Sequence, residues 1–250
     1  MRLWRNIGGA GLALIAAGLL FVLMPPLGLT PQHRPLPKIT PANAALNITV
    51  FGTSLSADTS WADNLGQALE ICLKRPVNIS RVTRAGSGSA WGLTALADVQ
   101  ATQPDLVIVE FAINDADLRD GVGLKTSIEQ HQRLISQLQT EIPQAQILLM
   151  TTNPAYGLRS LLRPRLRAYY QSYRGLAARL DTGLADVYGH WLSADKPLRR
   201  FPDGLHPTDK AARTVILPVL LSIIAAALDQ GCAEDQSPLT PPAPKPERGT

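Results

Sequence analysis

The chain has 250 residues, 45% of them hydrophobic, enough for one buried core with appendages, which excludes collagen, a wholly disordered chain and a coiled coil. Its formal net charge is +4, and the basic residues thicken between Arg159 and Arg179 without forming a charged tail. This balance does not by itself choose a partner, and nucleic acid is not expected for a domain read as lying outside the cytoplasm.

Residues 1–29 read as an export or anchoring segment. Arg2 and Arg5 precede an uncharged stretch from Ile7 to Met24, whose length is near the lower end of the roughly 17–25 residues that span a bilayer. Two readings stay open, a single-pass signal anchor and a cleaved signal peptide. The anchor is preferred because Pro25-Pro26-Leu27 stands where a small-residue cleavage site would be needed. By the positive-inside rule the remainder of the chain then faces outward, into the periplasm if the cell is a bacterium; cleavage would leave it periplasmic or secreted.

Residues 30–45, with Pro31, Pro35, Pro37 and Pro41, read as a tether, and the proline-rich residues 233–250 as a disordered tail. A folded domain is expected between them, over residues 46–232. Within it, short apolar or β-branched runs alternate with helical patterns. Strands are expected at Asn47–Phe51, Val77–Val82, Leu106–Phe111, Gln146–Thr151 and Leu184–Tyr188. Helices are expected at about Thr59–Lys74, Trp91–Gln100, Thr126–Thr140, Leu161–Leu180 and Thr208–Leu228, the last kinked at Pro218. Uninterrupted apolar strands separated by helices predict an α/β three-layer sandwich around a flavodoxin-like, five-stranded parallel sheet. Cys72 and Cys232 fit an oxidising compartment if they pair, and such a bond would tie the two ends of the domain together; two buried free thiols are the alternative.

Ligands of open parallel sheets bind beyond the carboxyl ends of the strands, and several polar residues fall at such ends. Ser54 follows the first strand, Gly86 the second and Asn114 the third, while Asp203 and His206 stand on the loop before the last helix. A serine hydroxyl becomes nucleophilic only when a base takes its proton, and the base must be held in one tautomer by a third group. His206 and Asp203 could supply base and orienting acid within one turn. The backbone N–H groups of Ser54 and Gly86 and the Asn114 amide are candidate donors to a developing oxyanion. This chemistry asks for no metal and no organic cofactor.

Four segments together resemble the SGNH, or GDSL-type, esterases and lipases. They are Gly52-Thr53-Ser54-Leu55, Arg84-Ala85-Gly86-Ser87-Gly88, Ala112-Ile113-Asn114-Asp115 and Asp203-Gly204-Leu205-His206, and the similarity runs from about Asn47 to Leu228. The resemblance implies Ser54, Asp203 and His206 as catalytic residues, and Ser54, Gly86 and Asn114 as the oxyanion hole. It departs from the family pattern at Thr53, where an Asp is usual, and at Ala112, where a Gly is usual. These departures bear on substrate fit more than on reaction type. Together with an outward location, the resemblance implies removal of a small acyl group from a cell-envelope or exopolysaccharide sugar. A lysophospholipase or thioesterase, a polysaccharide O-acyltransferase and a non-catalytic module are the alternatives.

Other residues read more plainly. His190 is a reserve base without an acid at fixed spacing, His33 lies in the tether, and His131 is expected on a solvated helix face. Arg159, Arg163, Arg165, Arg167 and Arg174, near Tyr169, Tyr170 and Tyr173, form a solvated face whose stems cover apolar surface, or else a contact for an anionic glycan or acidic headgroups. The glycines from Gly86 to Gly92 also suggest a dinucleotide-binding turn with Glu110 on a ribose, a weaker reading because their spacing is off by one.

Overall fold

Five apolar segments form parallel strands: β1 (Leu46–Gly52), β2 (Val77–Thr83), β3 (Leu106–Glu110), β4 (Gln146–Thr151) and β5 (Gly183–Asp186). A computed structural model describes residues 30–232. Residues 1–29 and 233–250, and with them the expected anchor and tail, lie outside the described residues. The sheet order is β2-β1-β3-β4-β5, every pair parallel, so all carboxyl ends share one edge.

Ten helices follow in chain order among the described residues: α1 (Ser54–Ala57), α2 (Trp61–Leu73), α3 (Ser89–Gly92), α4 (Leu96–Ala101), α5 (Ala112–Asp115), α6 (Leu124–Glu141), α7 (Leu158–Leu161), α8 (Leu166–Arg179), α9 (Val187–Ser193) and α10 (Asp209–Ala227). The strand period of two divides the core between the faces of the sheet. In β3, Val107 and Val109 pack with α6 and α8, whereas Leu106 and Ile108 pack with α2 and α10. This is the three-layer α/β/α sandwich the alternation predicts. Helix α10 is long and apolar enough to cross a membrane, but half of it is buried and its inner face joins this second core layer.

The start of α10 matters because His206 stands just before it. Thr208 caps the helix, accepting from Ala211 N at 3.3 Å. Asp209, in the first turn, accepts from Ser60 N at 2.6 Å and Ser60 Oγ at 2.7 Å, which pins α10 to the residue that opens α2. Cys72 in α2 and Cys232 beyond α10 are joined as a disulfide, with Cα atoms 5.6 Å apart.

The structure corrects several local expectations. The expected helix Trp91–Gln100 is two helices, because Gly92 passes so close to the core that a Cβ there would lie 2.7 Å from Leu134 Cδ1, and Thr94 Oγ1 turns back onto the Trp91 carbonyl at 2.7 Å. The expected Leu161–Leu180 is divided by Pro164, which has no N–H to continue α7 and disfavours helical backbone before it. The last strand stops at Asp186, whose carboxylate caps α9. Helix α10 includes Pro218 and keeps close to its expected bounds.

The largest correction concerns residues 30–45, which form a strap on the domain and not a free tether. Arg34 makes an antiparallel bridge to Leu184 with both N–H···O distances 3.0 Å, and Leu36 and Ile39 are buried in the core. Asp105 accepts from Ala42 N at 2.9 Å and Asn47 N at 2.8 Å. Prolines offer no N–H, so such a segment covers the β5 edge without extending the sheet. His33 is part of this strap: its Nδ1 accepts from Asp186 N at 3.1 Å and its Nε2 lies 2.9 Å from His190 Nε2.

Candidate active site

The turn after β1 is built around a buried acid. Glu110, at the end of β3, accepts from Thr53 N at 2.6 Å, Thr53 Oγ1 at 3.1 Å and Ser56 Oγ at 2.7 Å. A Cβ on Gly52 would lie 2.2 Å from Glu110 Oε1, so only glycine lets β1 end this close to the carboxyl group. Thr53 also caps α1 by accepting from Leu55 N, and Trp61 Nε1 donates to the Leu55 carbonyl at 3.1 Å. Ser54 is thereby fixed as the first residue of α1, 8% exposed, with its hydroxyl at the rim.

That hydroxyl lies 2.9 Å from His206 Nε2, and His206 Nδ1 lies 2.8 Å from Asp203 Oδ2. The other oxygen, Asp203 Oδ1, accepts from Leu205 N at 3.0 Å and His206 N at 2.8 Å, so one carboxylate both shapes the loop and orients the ring. Burial works to raise the Asp203 carboxyl, but the hydrogen bonds from the His206 backbone, the His206 ring and the Leu205 N–H outweigh it and hold the group below the usual carboxylate range. An ionised Asp203 accepts from Nδ1–H, leaving Nε2 as the lone-pair nitrogen facing Ser54. The Gly204 carbonyl accepts from Tyr156 N at 2.8 Å, and Asn153 Nδ2 donates to the Leu205 carbonyl at 2.7 Å, fastening the loop to the segment after β4.

The candidate oxyanion donors come from three loops that are tied together. Arg84 N donates to the Gly52 carbonyl at 3.1 Å, joining the loop after β2 to the serine turn. Asn114 Nδ2 donates to the Ser87 carbonyl at 2.9 Å, joining the loop after β3 to both. This bond uses one of the two amide hydrogens, and the other has no protein acceptor among the described residues. Gly86 has φ +71° with open space around it, and neither its N–H nor that of Ser54 has a protein acceptor among the described residues.

Support for this rim comes from residues that sequence reasoning placed elsewhere. His131 is not solvated but fully buried, its Nδ1 2.8 Å from the Ser127 carbonyl and its Nε2 2.8 Å from Tyr173 Oη. Burial lowers its pKa despite the nearby Asp115, so the ring is neutral, donates to Ser127 O and accepts from the tyrosine. Tyr173 Oη accepts in turn from Phe111 N at 3.1 Å and Ala112 N at 3.2 Å, fixing the turn that presents Asn114. Asp115 accepts from Ser89 N at 2.8 Å and Ser127 Oγ at 2.6 Å. Arg163 is likewise buried, paired with Asp117 at 2.8 Å and donating to the Ile113 carbonyl at 2.9 Å. His190 is held by His33, and Glu110 is sealed under the serine turn, where it could not reach a ribose. The nucleotide reading is overturned.

Residues 48–214, which hold all of these loops, match the GDSL-like lipase/acylhydrolase family. The chain belongs to that family. As a GDSL-like acylhydrolase it is an enzyme that hydrolyses ester bonds. A search of curated proteins finds no match. Among solved structures, a lipase/acylhydrolase from Enterococcus faecalis is similar with a TM-score of 0.64 at 20% identity, covering 76% of this chain and 99% of that one. A variant of Axe2, an acetyl-xylooligosaccharide esterase from Geobacillus, is similar with a TM-score of 0.63 at 17% identity, covering 75% and 96%. A protein named TesA is similar with a TM-score of 0.59 at 24% identity, covering 73% and 99%. At such identities these neighbours bear on the fold alone.

The GDSL-type site makes its own prediction about pH. Burial pushes Glu110 from 4.5 up to about 7, against the pull of the hydrogen bonds from Thr53 and Ser56. Between these values the folded chain holds a proton that the unfolded chain has lost, so the contribution of Glu110 to stability is complete below about pH 4.5 and disappears as pH rises through about 7. The loss amounts to about 3 kcal/mol. In urea unfolding at pH 5 and pH 7, Glu110→Gln is expected to lack this part of the wild-type slope. An unchanged slope would show that Glu110 titrates normally.

Proposed function

We propose that this enzyme is a serine ester hydrolase that works through an acyl-enzyme and removes a small, acetyl-like group from a cell-envelope or exopolysaccharide sugar. The observation that carries the reading is the unbroken hydrogen-bonded line Ser54 Oγ, His206, Asp203. Ser54 Oγ attacks the acyl carbonyl carbon while its proton passes to His206 Nε2. Asp203 stabilises the imidazolium and remains a carboxylate. The Ser54 and Gly86 N–H groups and the second Asn114 amide hydrogen receive the oxyanion. His206 returns the proton to the departing sugar hydroxyl, and a water then repeats the sequence on the acyl-Ser54 ester, releasing the acid.

The small acyl group is favoured by the likeness to an acetyl-xylooligosaccharide esterase. We further place the domain outside the inner membrane, held by residues 1–29, a reading supported by the Cys72–Cys232 disulfide. A longer acyl chain is the second reading, carried by exposed Leu118, Leu158 and Leu161; Leu118 N donates to the Leu162 carbonyl at 2.8 Å, which joins the loop bearing Leu118 to the end of α7.

A p-nitrophenyl ester series from acetate to decanoate, run with the full chain, tests both. kcat/KM is expected to be highest for acetate and to fall steadily with chain length. A maximum at octanoate or beyond would sink the small-acyl reading.

A further inference from the structure

A concavity lies at the carboxyl ends of β4 and β5, on the edge of the sheet that also carries Ser54. It has a volume of about 320 Å³, and its lining includes Arg167, Arg174, Gln171, Tyr170, Tyr188 and, from the strap, Gln32. Parallel strands are about 4.8 Å apart, so the cavity is roughly 10–15 Å along the rim from the end of β1. It is also joined to the catalytic loop. Tyr170 Oη, in the cavity wall, donates to the Asn153 carbonyl at 3.0 Å, and Asn153 holds the carbonyl of Leu205, the residue next to His206.

The chemistry of the lining is one-sided. Arg167 and Arg174, two turns apart on α8, are exposed and make no ion pair among the described residues, unlike Arg163 on Asp117 or Arg159 beside Asp203. The carboxylate that also lines the cavity, Asp186, is occupied by the framework. Its Oδ2 accepts from Gln32 N at 2.9 Å, and its Oδ1 from Thr151 Oγ1 at 3.1 Å and Gly189 N at 3.4 Å. Two guanidinium groups therefore face one carboxylate that is already used, which leaves net positive charge and free forked donors for an anion.

The remaining lining argues against a bare phosphate or lipid headgroup. The Tyr170 and Tyr188 rings pack 4.9 Å apart, tilted by 50°, and are almost fully buried, so they form a rigid back wall to the cavity and add no charge to it. The Gln32 and Gln171 amides offer both donors and acceptors suited to sugar hydroxyls. The volume falls at the low end of the range typical of small-ligand pockets.

We propose that this cavity is a subsite for an acidic sugar, with Arg167 and Arg174 holding its carboxylate, and that the enzyme acts on acylated anionic oligosaccharides that reach from there to Ser54. The proposal rests on the esterase reading for its second half only; the binding site stands by itself.

The test separates the two. Calorimetry with the full chain and non-acylated trigalacturonic acid needs no catalysis, and binding is expected at low salt, at least tenfold tighter than for neutral xylotriose. The double variant Arg167→Gln/Arg174→Gln is expected to lose at least tenfold in affinity for trigalacturonic acid while hydrolysing p-nitrophenyl acetate at the wild-type rate, which also reports that it folds. Equal affinity for the acidic and neutral trisaccharides, or an unaffected double variant, overturns the subsite. So does loss of sedimentation with phosphatidylglycerol vesicles while trigalacturonic acid binding is unchanged, because the arginines would then serve a membrane. If trigalacturonic acid binds as stated but p-nitrophenyl acetate is not hydrolysed by the wild type, the esterase reading falls and the subsite remains.

Discussion

Ser54→Ala is expected to reduce kcat for p-nitrophenyl acetate by roughly 10⁶-fold, the scale seen when the nucleophile of a serine triad is removed. The substitution deletes one hydroxyl whose only side-chain hydrogen bond among the described residues is to His206 Nε2 at 2.9 Å, while α1 keeps its Thr53 cap and the Glu110 clamp. The fold should therefore persist, with an unfolding midpoint close to wild type. His206→Ala is expected to cost about as much, and the double variant no more than either alone, because the two act as one unit. A fluorophosphonate should label wild type at Ser54 and leave both single variants unlabelled. If Ser54→Ala retains even a tenth of wild-type activity, another group is the nucleophile and the acyl-enzyme reading is lost.

The rim on which that prediction depends was legible because its residues sit at the ends of strands whose apolar runs are unmistakable. Leu106–Glu110 is buried at every position, and a strand so composed is recognisable in the sequence to within one residue of its end. What lay beyond reach depends on partners distant in the chain. Arg163 and Arg165 look alike in sequence, yet Arg163 is buried because Asp117 and the Ile113 carbonyl meet it, whereas Arg165 is exposed. His131 sits between glutamines on a polar helix, and only the arrival of Tyr173 from α8 makes its position an interior one. The strap shows the same limit. Its prolines carry the composition of a linker, but Leu36 and Ile39 recur at a spacing that finds the core once β5 needs an edge cover.

Glu110 is the instructive case, because a signal was present. A carboxylate closing an otherwise apolar strand must either reach water or be satisfied inside, and burial of the whole strand leaves only the second. Its donors, Thr53 and Ser56, flank the nucleophile. The departure at Thr53 from the usual family acid then has a physical account: with Glu110 already against the turn, a threonine supplies a hydroxyl donor where a second acid would have set two carboxylates together.

The second large effect is expected from Asp203→Asn, and its cause is a tautomer. The amide oxygen can still accept from Leu205 N and His206 N, now 3.0 and 2.8 Å from Asp203 Oδ1, so the loop is expected to keep its shape. The amide NH₂, however, would then face His206 Nδ1, which now lies 2.8 Å from Oδ2. Two donors cannot share that line, so Nδ1 must become the acceptor and the ring proton moves to Nε2, pointing at Ser54. His206 is then no base for the nucleophile, and kcat is expected to fall by about 10⁴-fold with KM little changed. Asp203→Ala should add a cost that Asn avoids, since the Leu205 and His206 N–H groups lose their shared acceptor, and a lower unfolding midpoint in the Ala variant alone would report it. The tautomer itself is visible in the ¹⁵N shifts of the His206 ring, which should show Nδ1–H in the wild type and Nε2–H in Asp203→Asn. An Asn variant that keeps Nδ1–H, or that turns over within tenfold of wild type, would mean that Asp203 holds the loop and not the proton.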